Sequence, residues 1–350
     1  MLGINIYLIE YCEGIMSKSI KCKICGFPID NHTFIIKEMM IGRMDKFEYI
    51  ECPHCKSLQL IEIPEDMSEY YNQNYYSMGK ENNFYRFILY HLNRHYLEKD
   101  FLGKLFNYFV DGNEKIFKLM NCLLRNDLIT YNSQILDIGC GEGTFLQELS
   151  DLGFDNLDGM EPFIEKQINN ENFTIFKSFL DDFYPKKQYD LIFLKDSLEH
   201  MDNPYQNLLN VKRLLKDDGY MIISIPVKTD YFWSLYGVNW FQLDAPRHFV
   251  TFTLDGFKIL LKSLNLEIEK LYFNSNVDAF IISEDYSKGV SMYSDESFTS
   301  KSHFQNVYNK NFKKIDFQSK KVSFRYLKKL IDDLNEKQES EHAIFLIKKT

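Results

Sequence analysis

The chain has 350 residues, of which 41 are Lys or Arg and 50 are Asp or Glu, a formal charge of −9. That length suits about two domains with a sizeable buried core, and the acidic balance argues against nucleic acid held through phosphate charge. No run of about 18 apolar residues is present to span a membrane. The opening run Leu2–Ile9 is too short for an export signal and lacks its basic flank. A cytoplasmic location is therefore expected, with residues 1–16 a dispensable leader and Met16 a candidate start.

Four of the seven cysteines fall in two matched pairs between residues 22 and 55, as Cys22-Lys-Ile-Cys25 and Cys52-Pro-His-Cys55. Two C-x2-C hooks place four sulfurs within reach of one tetrahedral ion. Between them, apolar runs at Thr33–Met40 and Phe47–Glu51 are split by Gly42-Arg43-Met44-Asp45, which predicts a hairpin. Residues 17–63 thus read as a zinc-ribbon-like domain holding a structural Zn2+ on Cys22, Cys25, Cys52 and Cys55, with His54 facing solvent. Residues 64–130 read as a linker and helical segment. Phe84, Phe87, Ile88, His91 and Leu92 begin a helical spacing that runs to Phe109, and a second helix is expected over 114–128. His91 and His95 have metal-ligand spacing on that first helix, but without a third ligand nearby they read as packed or surface side chains.

From residue 131 to 350, short apolar segments alternate with amphipathic ones. Strands are predicted at Gln134–Ile138, Asn156–Met160, Phe173–Phe176, Tyr189–Leu194 and Gly219–Ile225, with the best helix at Tyr205–Leu215. A helix follows at Thr253–Ser263, with Thr253 as N-cap, then a strand at Leu266–Phe273. A helix at Lys320–Glu336 and a closing strand at His342–Lys348 end the chain. This alternation implies right-handed βαβ units and a parallel sheet.

The segment Ile135-Leu-Asp137-Ile-Gly139-Cys-Gly141-Glu-Gly143 is a buried strand followed by a glycine-rich turn and a helix. Such a turn at the carboxyl end of a strand is where open α/β sheets bind ligands. A dinucleotide diphosphate would not favour Asp137 and Glu142 beside the glycines. Two carboxylates suit a cationic ligand such as S-adenosylmethionine, which carries an ammonium and a sulfonium and no phosphate. Glu161 ends the second strand 22 residues after Gly139, the place for an acid that holds ribose hydroxyls.

These residues, with Tyr189-Asp-Leu-Ile-Phe-Leu-Lys-Asp-Ser-Leu-Glu-His200 and Leu214-Leu-Lys-Asp-Asp-Gly-Tyr-Met-Ile-Ile-Ser-Ile-Pro226, resemble class I S-adenosylmethionine-dependent methyltransferases. The resemblance implies a Rossmann-like, seven-stranded, mostly parallel sheet with helices on both faces, closed by an antiparallel strand at 340–349. It implies Gly139, Gly141 and Gly143 beneath the cofactor, Asp137 toward its ammonium, and Phe179 and Leu180 beside adenine. Lys195 and Asp196 would border the methyl group. The Cys hooks and the run Tyr70-Tyr-Asn-Gln-Asn-Tyr-Tyr76 resemble, more loosely, methyltransferases of bacterial surface-polysaccharide and sugar pathways.

Methyl transfer to a hydroxyl needs a base, and a His near its ordinary pKa serves at neutral pH. His248 and His200 are the candidates, with Asp196 in reserve. His248 lies in Leu243-Asp-Ala-Pro-Arg-His-Phe-Val, read as a lid whose Trp233, Tyr236, Trp240 and Phe241 could cover a sugar, with Asp244 and Arg247 tuning the imidazole. Cys140 reads as a space-filler, and Cys12 and Cys122 carry no pattern. The leading expectation is O-methylation of a small molecule or sugar. The alternatives are a quinone-like phenol, RNA presented by the zinc ribbon, or a silent cofactor-binding scaffold.

Overall fold

The computed structural model describes residues 20–29, 32–71, 114–297 and 315–350. The expected leader, Cys12, the helix with His91 and His95, and residues 298–314 lie outside these.

In chain order, β1 (Ile20–Lys21) and β2 (Pro28–Ile29) flank the first Cys hook. A meander follows: β3 (Thr33–Lys37), β4 (Lys46–Glu51) and β5 (Leu58–Leu60). α1 (Glu114–Arg125) leads into β6 (Gln134–Ile138), α2 (Thr144–Asp151), β7 (Asn156–Met160), β8 (Ile168–Asn169) and β9 (Phe173–Phe176). Then come β10 (Tyr189–Lys195), α3 (Pro204–Leu214), β11 (Leu215–Pro226), α4 (Asp230–Tyr236) and β12 (Val250–Thr251). The chain ends with α5 (Leu254–Ser263), β13 (Leu266–Phe273), α6 (Asp278–Ser287), the hairpin β14 (Ile315–Phe317) and β15 (Lys320–Val322), α7 (Phe324–Lys337) and β16 (His342–Lys349).

The main sheet has the order β13-β16-β11-β10-β6-β7-β9-β8. β9, β7, β6, β10 and β11 are parallel, and β16 runs antiparallel between β11 and β13. The seven long strands match the expected sheet, and the two-residue β8 adds an eighth at the edge through Ile168 and Asn169. Alternate residues of each central strand enter opposite cores. Leu136, Ile192, Leu194 and Ile223 pack with α3 and α5, whereas Ile135, Leu191, Phe193 and Ile222 pack with α1 and α2. Burial on both faces is why these strands read as continuous apolar runs.

Helix starts follow from local chemistry. The Asn203 side chain accepts from Gln206 N at 3.1 Å with Pro204 at the first helical position, and Thr253 accepts from Gly256 N at 3.0 Å. The predicted helix at 320 begins later, at Phe324 behind the N-cap Ser323. Gln318 and Ser319 hold φ of +47° and +60°. That turns Lys320–Val322 back on Ile315–Phe317 as a hairpin.

The N-terminal meander does not stand apart. Its four-stranded sheet, order β12-β5-β4-β3, takes its last strand from Val250 and Thr251, paired with Gln59 and Leu58. One face of it packs Ile36, Tyr49, Leu58 and Leu60 against Phe232, Trp240, Leu243 and Phe280. The aromatic segment expected to form an exposed lid is therefore largely core. Trp240 is 1% exposed and Tyr236 7%, because an apolar sheet face must be covered by something.

Candidate functional site

The carboxyl ends of β6, β7, β9 and β10 converge at the point where strand order reverses, the ligand-binding place of an open α/β sheet. Gly139 leaves β6 at φ +78°, and a Cβ there would stand 2.7 Å from Cβ of Ser197. Gly143, at φ +86°, precedes α2, and its Cβ would collide with Ile175 Cδ1 at 2.7 Å. Only glycine fits both the dihedrals and the space. Gly141 lies between them at φ +54°. Beneath this turn Asp137 is 2% exposed, and its Oδ1 has no hydrogen-bond partner among the described residues. Burial lifts its carboxyl to about 7 against the pull of Lys195, and Glu161 adds to the rise.

At the end of β7, the Glu161 carboxylate accepts from Gly141 N at 3.2 Å and from Phe163 N at 3.1 Å. These bonds fix the acid against the glycine turn. Phe163 and Phe179 are exposed, 74% and 58%, and meet edge to face at 5.9 Å. Leu180, by contrast, is buried. Phe163 carries no motif in the sequence; only its place two residues after Glu161 could have pointed to it.

β10 delivers Lys195, whose Nζ lies 3.9 Å from the Phe145 ring centre, and Asp196, which adopts φ +49°. Asp196 Oδ1 accepts from Ser224 Oγ at 3.2 Å and from His342 Nε2 at 2.6 Å. The Asp196 side chain is 46% exposed, and His342, Lys195 and Ser224 outweigh the partial desolvation of its carboxyl and hold it below its ordinary range. The same pairing raises His342 against burial. Sequence reading missed His342, since nothing local marks a strand-end histidine 146 residues away from its partner.

A buried polar cluster follows. Glu199 is 1% exposed, and neither carboxylate oxygen has a hydrogen-bond partner among the described residues. Burial, with Asp196 and Asp244 nearby, pushes it well above the ordinary range. His248 Nε2 lies 4.0 Å from Glu199 Oε1 and 3.9 Å from Asp244 Oδ2, and its ring meets that of His200 edge to face at 4.7 Å. Glu199, His200 and His248 bring one donor atom each within 4.8 Å of the others, close enough for one small cation to reach all three. His248 Nδ1 donates to Gln242 O at 2.7 Å, and His200 Nδ1 donates to Arg247 O at 2.8 Å. A carbonyl only accepts, so Nδ1 carries the proton in both neutral rings and Nε2 keeps its lone pair. Burial lowers both, His200 to about 4 with help from His248. From the Tyr-rich run, Tyr71 Oη reaches within 3.4 Å of His200 Nδ1.

His248 lies inside the fold and not on a solvent-facing lid. It is 4% exposed, within a buried stretch from Leu243 to His248. The reason is ionic. Arg247, fully buried, donates from Nε to both Asp244 oxygens at 3.0 and 2.9 Å and from Nη2 to Glu38 at 2.9 Å.

The four N-terminal cysteines form a second constellation. Cys22 and Cys55 sulfurs stand 3.6 Å apart, Cys25 and Cys52 sulfurs 3.5 Å apart, and all four lie within 4.8 Å of one another. Backbone amides of Ile24, Cys25 and Cys55 point at Sγ of Cys22 and Cys52 over 3.4–3.5 Å. His54 is exposed as expected and stacks on Phe27. Cys140 is half-buried and its Sγ would meet a Cβ at Gly159 at 2.5 Å, in keeping with a space-filler. Among the described residues no helix is long and apolar enough to cross a membrane.

Residues 99–271 match the family model described as a methyltransferase domain. The chain is similar to the ubiquinone biosynthesis O-methyltransferase of Rickettsia bellii (strain OSU 85-389), 26% identical over 200 residues, covering 50% of this chain and 83% of the relative. The enzyme of that name from Rickettsia typhi is 25% identical over 186 residues, 49% of this chain and 76% of the relative. Among solved structures, the plantazolicin methyltransferase BpumL, in complex with a triazolic desmethylPZN analog and SAH, aligns with a TM-score of 0.37. That alignment has 17% identity and covers 81% of this chain and 89% of that chain. With the strand order of the main sheet, the match across residues 99–271 identifies an S-adenosylmethionine-dependent methyltransferase.

Proposed function

We propose that the enzyme methylates the hydroxyl of a small aromatic acceptor, a quinone-like phenol, with His248 as the base. The fixed tautomer of His248 carries this reading: Nδ1 is committed to Gln242 O, so Nε2 is the one ring nitrogen able to take a proton. Burial makes both histidines weak bases. A weak base suits a phenol, whose pKa is about 10, better than an aliphatic hydroxyl, whose acidity is nearer that of water at about 15.7. The named activity of the Rickettsia relatives points the same way. A sugar acceptor loses the aromatic cover expected for it, since Trp240 and Tyr236 are core.

The residues fit the cofactor. Asp137, buried with an unpartnered oxygen, suits the ammonium. Glu161 suits the ribose hydroxyls, and the exposed rings of Phe163 and Phe179, beside the Leu180 amide, suit adenine. Gly139, Gly141 and Gly143 allow close approach, and Lys195 borders the sulfonium end. When bound, the cofactor supplies an electrophilic methyl. This chain's residues do the rest: the sheet edge orients the acceptor, and Nε2 of His248 accepts the hydroxyl proton. His200 and Asp196 shape the wall on either side of it.

The four cysteines fit a structural Zn2+. A tetrahedron with Zn–S bonds of about 2.3 Å has edges of about 3.8 Å, close to the sulfur separations of 3.5 and 3.6 Å. Four protein ligands leave no open position, so the role is structural.

Incubation of the purified enzyme with S-adenosylmethionine and two acceptor panels, catechol-type phenols and nucleotide sugars, tests the proposal by mass spectrometry of the products. O-Methylated phenols are expected. Methylated sugars with untouched phenols would overturn it.

A further inference from the structure

The segment carrying His248 is held from both sides by residues more than 170 positions away in sequence. On its N-terminal side, Arg247 is tied to Asp244 and to Glu38, and its Nη1 donates to Tyr70 O at 2.9 Å. Glu38 follows β3, is fully buried, and also accepts from Ile41 N and Arg43 N at 2.9 Å each, so every contact of its carboxylate is directional. On the C-terminal side, Leu60 N donates to Phe249 O at 2.9 Å and β12 joins β5. Between the two, Tyr49 Oη, fully buried, donates to the backbone oxygen of His248 at 2.8 Å.

A tie of this kind could be made more cheaply. Well-packed apolar residues replace buried ion clusters at little or no loss of stability, because two carboxylates and a guanidinium taken from water carry a desolvation penalty. What apolar packing does not supply is direction. The carboxylate of Glu38 fixes the roll of the guanidinium, the guanidinium fixes Asp244, and the turn from Asp244 to His248 sets which carbonyl meets Nδ1.

We propose that Glu38 and Tyr49, on the N-terminal sheet, are positioning residues that hold the 244–248 turn so that His248 presents Nε2 to the acceptor. The inference rests on the reading of His248 as the base, and it makes the four-cysteine segment a structural wall of the catalytic site. A misplacement of about 1 Å by a residue remote from the chemistry costs about 10²-fold in rate.

The test uses the full chain carrying nitrogen-15 in its histidines, and reads the tautomer of His248 from two-bond proton–nitrogen correlations at a pH where the rings are neutral. His248→Gln assigns the signal. The wild-type ring should show only the Nδ1–H form. In Tyr49→Phe and Glu38→Gln a population with the proton on Nε2 should appear. With catechol as probe acceptor, kcat should fall by about tenfold or more while KM for S-adenosylmethionine stays within about twofold. A folded Tyr49→Phe protein with the wild-type ring pattern would overturn the proposal. Tyr49→Phe removes one hydroxyl and keeps the ring in its core, so it decides the matter even if Glu38→Gln does not fold. Normal turnover in His248→Ala would sink the base reading alone, since the ring pattern in Tyr49→Phe reports positioning independently.

Discussion

Asp137 offers the sharpest test of the cofactor site, because its burial and its orphaned oxygen pull in opposite directions with and without ligand. The folded carboxyl sits at about 7 instead of 3.8. Its folded pKa is raised, so the fold favours the protonated form. That advantage is full below about pH 4, declines as pH rises from 4 to 7, and is gone above 7. Three pH units at about 1.4 kcal/mol each put the full charging penalty on the order of 4 kcal/mol. Asp137→Asn should therefore stabilise the cofactor-free protein at pH 8 by up to that amount, and leave it unchanged near pH 4. Cofactor binding should show the reverse. If the ionised carboxylate meets the ammonium, affinity in the wild type should weaken about tenfold from pH 8 to pH 6, as the carboxyl takes up its proton. In Asp137→Asn, binding should be weaker at pH 8 and nearly flat across that range. Calorimetric titration with S-adenosylmethionine, paired with thermal melts at each pH, reads both effects. Equal pH slopes in the two proteins would remove Asp137 from the site and leave its orphaned oxygen without a ligand.

Metal analysis of the purified chain should find about one zinc, the complement of one four-ligand site; Cys52→Ser should lose it, and a zinc-free but fully folded wild type would refute the assignment. Glu161→Ala removes the acceptor of the Gly141 and Phe163 amides. It should weaken cofactor binding by about 1–3 kcal/mol, and unchanged affinity by calorimetry would take Glu161 off the ribose. His248→Ala should lower kcat by about 10²–10⁴ with cofactor affinity preserved, whereas His200→Ala should disturb the cofactor pocket more than turnover. The comparison needs both variants assayed with one methylated phenol, and near-normal turnover in His248→Ala would move the base to Asp196 or His200.

Much of this was legible in local pattern. The strands at 134–138 and 189–194 stand where their apolar runs predicted, because burial on both faces leaves an unbroken hydrophobic signature, and the half-buried strands at 173–176 and 266–273 also stand where expected. The glycine turn was legible for a different reason: positive φ at Gly139, Gly141 and Gly143, and close packing at Gly139 and Gly143, restrict the residue types allowed. The rest was written in long-range contacts. Glu38 meets Arg247 across 209 residues and His342 meets Asp196 across 146, and no periodicity encodes such pairs. Trp240 read as a substrate cover because aromatic residues on a loop look alike whether they face solvent or a sheet. Its place was decided by the apolar face of β4 and β5, which a sequence does not show to be uncovered.

The borrowed strand β12 has a consequence for the order of events during synthesis. Residues 33–60 leave the ribosome early, yet their sheet lacks its fourth strand until residues 250 and 251 have emerged. Through that interval the β5 edge offers unpaired amides and carbonyls, and Leu58 and Leu60 lack the cover later given by Phe232 and Leu243. Contacts of such sequence separation form late and slow the search for the native state. An N-terminal fragment ending before residue 250 should accordingly aggregate or bind holdase chaperones, and the chain should reach its native form only after release of its second half. The four-cysteine segment is in this sense a cradle completed by the domain it supports, and swapping it onto another methyltransferase would require carrying Val250 and Thr251 along with it.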